Sequence, residues 1–232
     1  MRTQSDCSTE SSKFLSGIPL FSDLSEGTRE YVARTSKFHH FEKGRIIFLQ
    51  SDPSQWAYVV CYGSVSIVLS NPDGRDMVIN EMRPGDIFGE LGILTGQPRS
   101  TSAISRTESD VLVIPYQTLL HALDLEPQLA RRILKITAER LQTSGKRESA
   151  LAFLDAQARL ARLLLQLDAE EKDKGYITIS QDELAQHAGL IRQTVAKALG
   201  RWRRAGWLIT GRGRILILNR KALEELESNL LV

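Results

Sequence analysis

Two short stretches of this sequence hold side chains whose types and spacing could do chemistry. The first runs Gly85-Asp86-Ile87-Phe88-Gly89-Glu90-Leu91-Gly92 and continues past Gln97-Pro98 into Arg99-Ser100-Thr101. A short helical turn here would offer backbone N–H groups to an anion, and Arg99 with a hydroxyl would complete a seat for one phosphate. Glu90 can accept a hydrogen bond from a ribose hydroxyl. The alternative for Glu90 and Arg99 is a buried ion pair with no ligand at all.

The second stretch lies in the C-terminal third. With Gln181 as the first position of a helix-turn-helix, Ala185 falls where the helices touch, Gly189 in the turn and Val195 in the shared core. Ser180-Gln181-Asp182-Glu183 is a capping-box pattern that opens the first helix. A second helix entering a DNA major groove would expose Arg192 and Gln193 in its first turn and Lys197 one turn later. Arg suits a guanine edge, Gln an adenine edge, and Lys either guanine or phosphate. Arg201, Arg203, Arg204, Arg212 and Arg214 would then meet phosphates. An ordinary αα-hairpin is the alternative, and the hairpin that follows the two helices weakens it.

Charge supports the same division. The formal net charge is only +2, yet residues 1–156 carry a net of −2 and residues 157–232 a net of +4. Seven cations and no acid lie between Arg192 and Arg214. An anionic partner is expected at that end. No run is apolar enough to span a bilayer, and Met1 to Ser12 is polar where a signal peptide would be hydrophobic, so a cytoplasmic protein is expected. Two cysteines, Cys7 and Cys61, leave no disulfide framework, and Cys61 reads as a free buried thiol.

The elements that must position these residues follow from periodicity. Phe14 to Arg34 has helical spacing, with Ser25 as an N-cap. Strand-like runs follow at Ile46–Leu49, Trp56–Cys61, Val65–Leu69, Met77–Met82, Ser102–Ile104 and Val111–Ile114. Turn chemistry at Asp52-Pro53, Asn71-Pro72-Asp73-Gly74 and Arg83-Pro84-Gly85-Asp86 separates them, which predicts a jelly roll or small barrel. Pro127 to Phe153 reads as one helix roughly 40 Å long, with Leu129, Ile133, Ile136 and Leu141 at helical offsets. One small barrel cannot bury so long a helix, so a twofold homodimer is expected. Asp155 caps a helix to Leu167, Asp168 to Gly175 is a charged loop, and Tyr176 to Leu218 forms strand, two helices and a hairpin turned around Gly211-Arg212-Gly213.

The cassette from Gly85 to Thr101 closely resembles the phosphate-binding cassette of cyclic-nucleotide-binding domains. Gly63-Ser64-Val65 resembles their pocket-lining run, and Arg140-Leu141-Gln142 with Leu151-Ala152-Phe153-Leu154-Asp155 resembles the dimer helix and hinge of the cyclic AMP receptor (catabolite activator)/FNR family. The resemblance extends from Phe14 to Leu218 with the motifs in the family's order. It implies an α+β fold: an N-terminal cyclic-nucleotide-binding jelly-roll β-barrel (1–126), a long dimerisation helix and hinge (127–155), and a C-terminal winged helix-turn-helix (156–232). It implies a bacterial, non-enzymatic transcription regulator with no cofactor and no metal. The effector would be a cyclic nucleotide, cyclic AMP first, held by Val65, Gly89, Glu90, Leu91, Arg99, Ser100 and Ser144. Double-stranded DNA would be read by Arg192, Gln193, Lys197 and Arg201, and RNA polymerase is a further implied partner.

Three departures from the family pattern stand out. Ser144-Gly145 occupies the place of a Thr-Ser pair that meets adenine, and Thr143-Ser144 sits one residue early, about 100° around the helix. Ile191 replaces a Ser N-cap. Gln193 replaces the commonest Glu. A same-family regulator acting without nucleotide, or with another effector, therefore stays open. A cupin-like metal enzyme rests only on His39-His40 beside Glu42, and adjacent residues of a strand point to opposite faces. Redox or gas sensing would need cysteines or haem ligands, and Gly89 to Ser100 contains no Cys or His.

Overall fold

The computed structural model describes residues 15–70, 76–171 and 174–228. They fall into two compact units that divide between Leu141 and Gln142, inside a single helix.

In the first unit α1 (Glu26–Thr35) precedes eight strands: β1 (Lys37–Phe41), β2 (Ile46–Phe48), β3 (Trp56–Tyr62), β4 (Val65–Ser70), β5 (Asp76–Met82), β6 (Ile87–Phe88), β7 (Ser102–Ser105) and β8 (Ser109–Pro115). A short helix α2 (Glu90–Thr95) links β6 to β7, and α3 (Tyr116–Leu125) and α4 (Pro127–Phe153) follow β8. The strands form two four-stranded antiparallel sheets, β1-β8-β3-β6 and β2-β7-β4-β5. That order is a jelly roll, as expected.

The continuous apolar run of β3 has a physical cause. Tyr58 and Val60 face the barrel interior with Phe48, Val65, Phe88 and Val111. Ala57 and Val59 face the other way, onto Phe21, Val32, Leu119, Leu129 and Ile133 of the helical layer. A strand covered on both faces loses alternation. Conversely, β1 escapes a pattern-based reading because none of its side chains is buried. Its register against β8 pairs His40 with Asp110. The two-residue β6 sits inside the Gly85 to Thr101 cassette and pairs with Tyr58 and Val59.

Ser25 caps α1 by accepting from the Thr28 amide. Along the 27 residues of α4, Leu129 and Ile133 are buried while Leu134 and Leu141 stand 70% and 73% exposed. Leu141 thus belongs with Leu134, seven residues earlier, and not with the buried seam that the spacing suggested. The turn expected at Asn71 to Gly74 lies outside the described residues, as does Cys7.

The second unit contains α5 (Ala156–Glu170), β9 (Ile177–Thr178), α6 (Gln181–Ala188), α7 (Arg192–Arg204), the hairpin β10 (Leu208–Gly211) and β11 (Arg214–Ile217), and α8 (Arg220–Ser228). β11 lies between β10 and β9. Asp155 caps α5 with two bonds of 2.8 Å, to the Gln157 and Ala158 amides. The helix does not stop at Leu167: Asp168 accepts from Arg220 at 2.6 Å, which makes a charged last turn worth keeping helical. Leu160, Leu164, Leu184, Val195, Leu199, Trp202, Ile215 and Leu223 build its core. Helix, turn, helix and hairpin give the expected winged helix-turn-helix.

Cys61 is half-buried, and burial pushes its thiol up to about 11. His39 stacks on Phe41, two residues along and so on the same face, while His40 meets Asp110 at 2.8 Å and Glu108 at 3.3 Å. The hydrogen bond to Asp110 raises the His40 pKa above its usual 6.5. A raised histidine pKa means that the clip favours folding below the unfolded-state value and loses that contribution as pH climbs through the folded one. In an NMR titration His40 should therefore lose its proton above pH 6.5, and Asp110→Asn should bring the midpoint down.

Candidate functional site

The cassette is shaped by β6 and α2. Gly89 caps α2 in the left-handed region (φ 73°), and a Cβ there would lie 2.7 Å from Nη1 of Arg99. The left-handed conformation demands glycine, and a side chain there would also displace the Arg99 guanidinium. Glu90, the first residue of α2, is 1% exposed. Its Oε1 accepts from Nη1 of Arg140 at 2.9 Å, and Nη2 of Arg140 donates to the Ile87 carbonyl at 2.5 Å. Burial pushes the Glu90 carboxyl above the usual range, and the Arg140 charge opposes that rise.

Arg99 is 5% exposed. Its two terminal nitrogens donate to the Gly89 and Trp56 carbonyls, each at 2.5 Å, and its guanidinium lies 4.2 Å from the Phe48 ring centre. Desolvation lowers its pKa. Its Nε is buried without a hydrogen-bond partner. The Glu90–Arg99 ion pair that the sequence offered as an alternative is thus corrected: Glu90 pairs with Arg140, and Arg99 turns to backbone carbonyls.

Val65 is wholly buried in the barrel interior with Val60 and Phe88. Leu91 and Ser100 are exposed. Ser144 belongs to the second unit, where its hydroxyl meets Glu148 at 3.4 Å one helical turn on. Gly89, Glu90 and Arg99 therefore come together, whereas Leu91 and Ser100 face outward from the same cassette. Arg140 is the functional residue that spacing alone missed. A signal existed: Arg140 lies seven residues after Ile133, so it continues the buried face of α4. A charge on a buried seam requires a buried countercharge.

In the second unit the capping box is complete, with Glu183 N bonded to Ser180 Oγ and Ser180 N to the Glu183 carboxylate. Gly189 ends α6 in the left-handed region (φ 62°), and that conformation turns the chain into α7. Val195 and Ala185 are buried in the shared core. The opposite face of α7 exposes Arg192, Gln193, Lys197 and Arg201. Ile191 gives α7 no side-chain cap. Arg201 donates to the Gln157 amide oxygen at 3.0 Å, and Arg192 lies 3.3 Å from Asp182. Lys197, Gly200, Arg201, Arg203 and Arg204 line one shallow basic groove along the helix.

A cyclic nucleotide-binding domain model matches residues 38–125, and a Crp-like helix-turn-helix model matches residues 158–226. The CRP-like cAMP-activated global transcriptional regulator of Mycobacterium tuberculosis is 32% identical over 174 residues, 72% of this chain and 78% of that one. The fold is similar to that of the c-di-GMP responsive global regulator CLP of Xanthomonas campestris, with a TM-score of 0.74 and 27% identity over 83% of this chain and 99% of that one. FixK2 from Bradyrhizobium japonicum is similar with a TM-score of 0.71 and 25% identity, covering 83% of this chain and 98% of that one.

Removing Arg140 leaves Glu90 buried without its countercharge, so Arg140→Met should lower the unfolding free energy by about 2 kcal/mol, less than for a fully buried pair because Arg140 keeps partial solvent access. Adding Glu90→Gln should recover much of the loss, since the double variant buries no unpaired charge. The penalty should shrink as pH falls, because protonated Glu90 needs no cation. Urea titrations of the four chains at neutral and mildly acidic pH measure all three effects.

Proposed function

The chain belongs to the cyclic AMP receptor/FNR family of transcription regulators, and from that premise we propose that it is a homodimer that takes a cyclic mononucleotide, cyclic AMP first, in its barrel and reads a near-palindromic DNA site with its winged heads. It carries a cyclic nucleotide-binding domain and a Crp-like helix-turn-helix, and its family and relatives are regulators and not enzymes. The observation that carries the finer reading is the Glu90–Arg140 pair. It joins the candidate ribose acceptor to α4, the helix whose exposed leucines suit a second copy.

In this mechanism Arg99 leaves the Gly89 and Trp56 carbonyls for the cyclic phosphate, and the Ser100 hydroxyl adds a donor. Its unpartnered Nε is one more N–H available to that anion. The ribose hydroxyl enters the Glu90–Arg140 pair, and any shift of Arg140 is a shift of α4. Leu134 and Leu141, with Ala138 between them, form an exposed apolar seam at heptad spacing. Ser144 and Gly145 lie along the same helix further on. Gly145 weakens helix propensity there, and a Cβ at this position would meet nothing within 4 Å in the chain. Ligand contact near Ser144 would firm the helix and set the heads, where Arg192, Gln193 and Lys197 select bases and Arg201 meets phosphate. RNA polymerase is the expected protein partner and the cytoplasm the expected location. No helix among the described residues is long and apolar enough to cross a membrane.

A second reading, a regulator acting without nucleotide or with another effector, is favoured by the state of Arg99. Its two terminal nitrogens already donate to carbonyls, and its plane lies over Phe48.

A thermal-shift panel of cyclic AMP, cyclic GMP and cyclic di-GMP separates these readings, because only a ligand of the native state raises the melting temperature. Cyclic AMP should raise it, and Arg99→Leu should weaken calorimetric affinity about 30- to 100-fold, the worth of a charge-assisted pair of hydrogen bonds. Unchanged affinity would remove Arg99 from the site.

The dimer is tested by Leu134→Glu combined with Leu141→Glu, which puts like charges on the seam. Sedimentation velocity should show a dimer for the parent and a folded monomer for the variant; a variant that stays dimeric places the interface elsewhere.

A further inference from the structure

We infer that Asp182 is a positioning residue for sequence readout: its contact with one nitrogen of Arg192 steadies the guanidinium for a guanine edge and disfavours its capture by a phosphate. This rests on the DNA-reading function proposed above. Asp182 is the second residue of α6, and its Oδ2 lies 3.3 Å from Nη1 of Arg192, the first residue of α7. Both side chains are exposed, at 60% and 68%.

The fold does not need this carboxylate for capping. The reciprocal bonds at the start of α6 are made by Ser180 and Glu183. What remains for Asp182 is a weak interaction with the helix dipole and its contact with Arg192. Yet an acid here is costly for a surface that must approach DNA, because it repels phosphates beside the first of seven cations in an acid-free run. Arg201 shows the other solution. It is steadied by the neutral amide oxygen of Gln157, which orders the guanidinium without adding negative charge.

Energetics explain the difference. An exposed ion pair alters an equilibrium only a few-fold, which sets the size of the effect. A guanine edge is neutral and offers two acceptors in the geometry of the guanidinium fork, whereas a phosphate, which can also accept two bonds, is sequence-blind and its charge is opposed by the neighbouring carboxylate. Asp182 therefore penalises DNA in which Arg192 finds no guanine. That lowers affinity for random sequence and widens the gap between right and wrong sites.

The test uses the full chain, with and without cyclic AMP, at fixed salt. Parallel selections from a random duplex pool with the parent, Asp182→Asn and Arg192→Ala first identify the base pair whose selection Arg192→Ala abolishes. Fluorescence anisotropy then compares three duplexes: the parent's selected site, that site changed at this base pair, and random sequence. Asp182→Asn should bind random sequence about three- to fivefold more tightly and discriminate at the one base pair about three- to fivefold less, with other positions unaffected. Asp182→Glu, which keeps the charge, should restore discrimination, and in the Arg192→Ala background Asp182→Asn should leave discrimination at that base pair unchanged. An unchanged discrimination ratio in Asp182→Asn overturns the inference, and so does equal loss of affinity for all three duplexes, which marks a structural role. A parent that binds none of the duplexes overturns the DNA-reading function itself, and this inference with it.

Discussion

A carboxylate with 1% exposure cannot stay ionised inside a β-domain without a countercharge, and Glu90 finds one in Arg140. Much of the first unit follows from that requirement. The cation must come from a helix long enough to continue past the helical layer over β3 and β8, so α4 is packed through Leu129 and Ile133 before it presents Arg140. The acid must sit at the start of α2, where left-handed Gly89 turns the chain and its carbonyl meets Arg99. Breaking the pair leaves a charge buried, whereas a hydroxyl that joins it without displacing either partner keeps both charges compensated. The same interaction ties the start of α2 to α4.

Arg99 obeys a different balance. Its guanidinium is satisfied by carbonyls and an aromatic face, neutral partners that compensate its desolvation incompletely. An anion offers it more than they do. A cation held by neutral groups is poised for exchange, while a cation held by a carboxylate, as Arg140 is, is anchored.

The DNA-binding unit separates stability from recognition by face. Val195, Ala198, Leu199 and Trp202 bury one side of α7, and the cations occupy the other. The core therefore tolerates change in the exposed side chains of that face, and the charge surplus that would repel itself in a compact domain is spread along an exposed groove. Neighbouring side chains then grade these cations: a carboxylate beside Arg192, an amide beside Arg201.

Sequence by itself determined the class of each element wherever a strong local signal existed. Turn residues and short apolar runs marked most of the jelly-roll strands, Ser180 to Glu183 marked a capping box, and Gly85 to Thr101 marked the cassette. These are short-range properties, decided by backbone preference and periodicity within a few residues. β1 and β6 were not legible, because an unburied strand and a two-residue strand carry no period; only pairing with β8 and β3 makes them strands. Leu141 was legible as apolar but not as exposed, since its face depends on where α4 packs. Likewise the cassette named Glu90 and Arg99, but which cation meets which acid was decided by tertiary structure. Arg140 stands 50 residues from Glu90 in the chain, and only the packing of α4 on the barrel brings their charges within bonding distance.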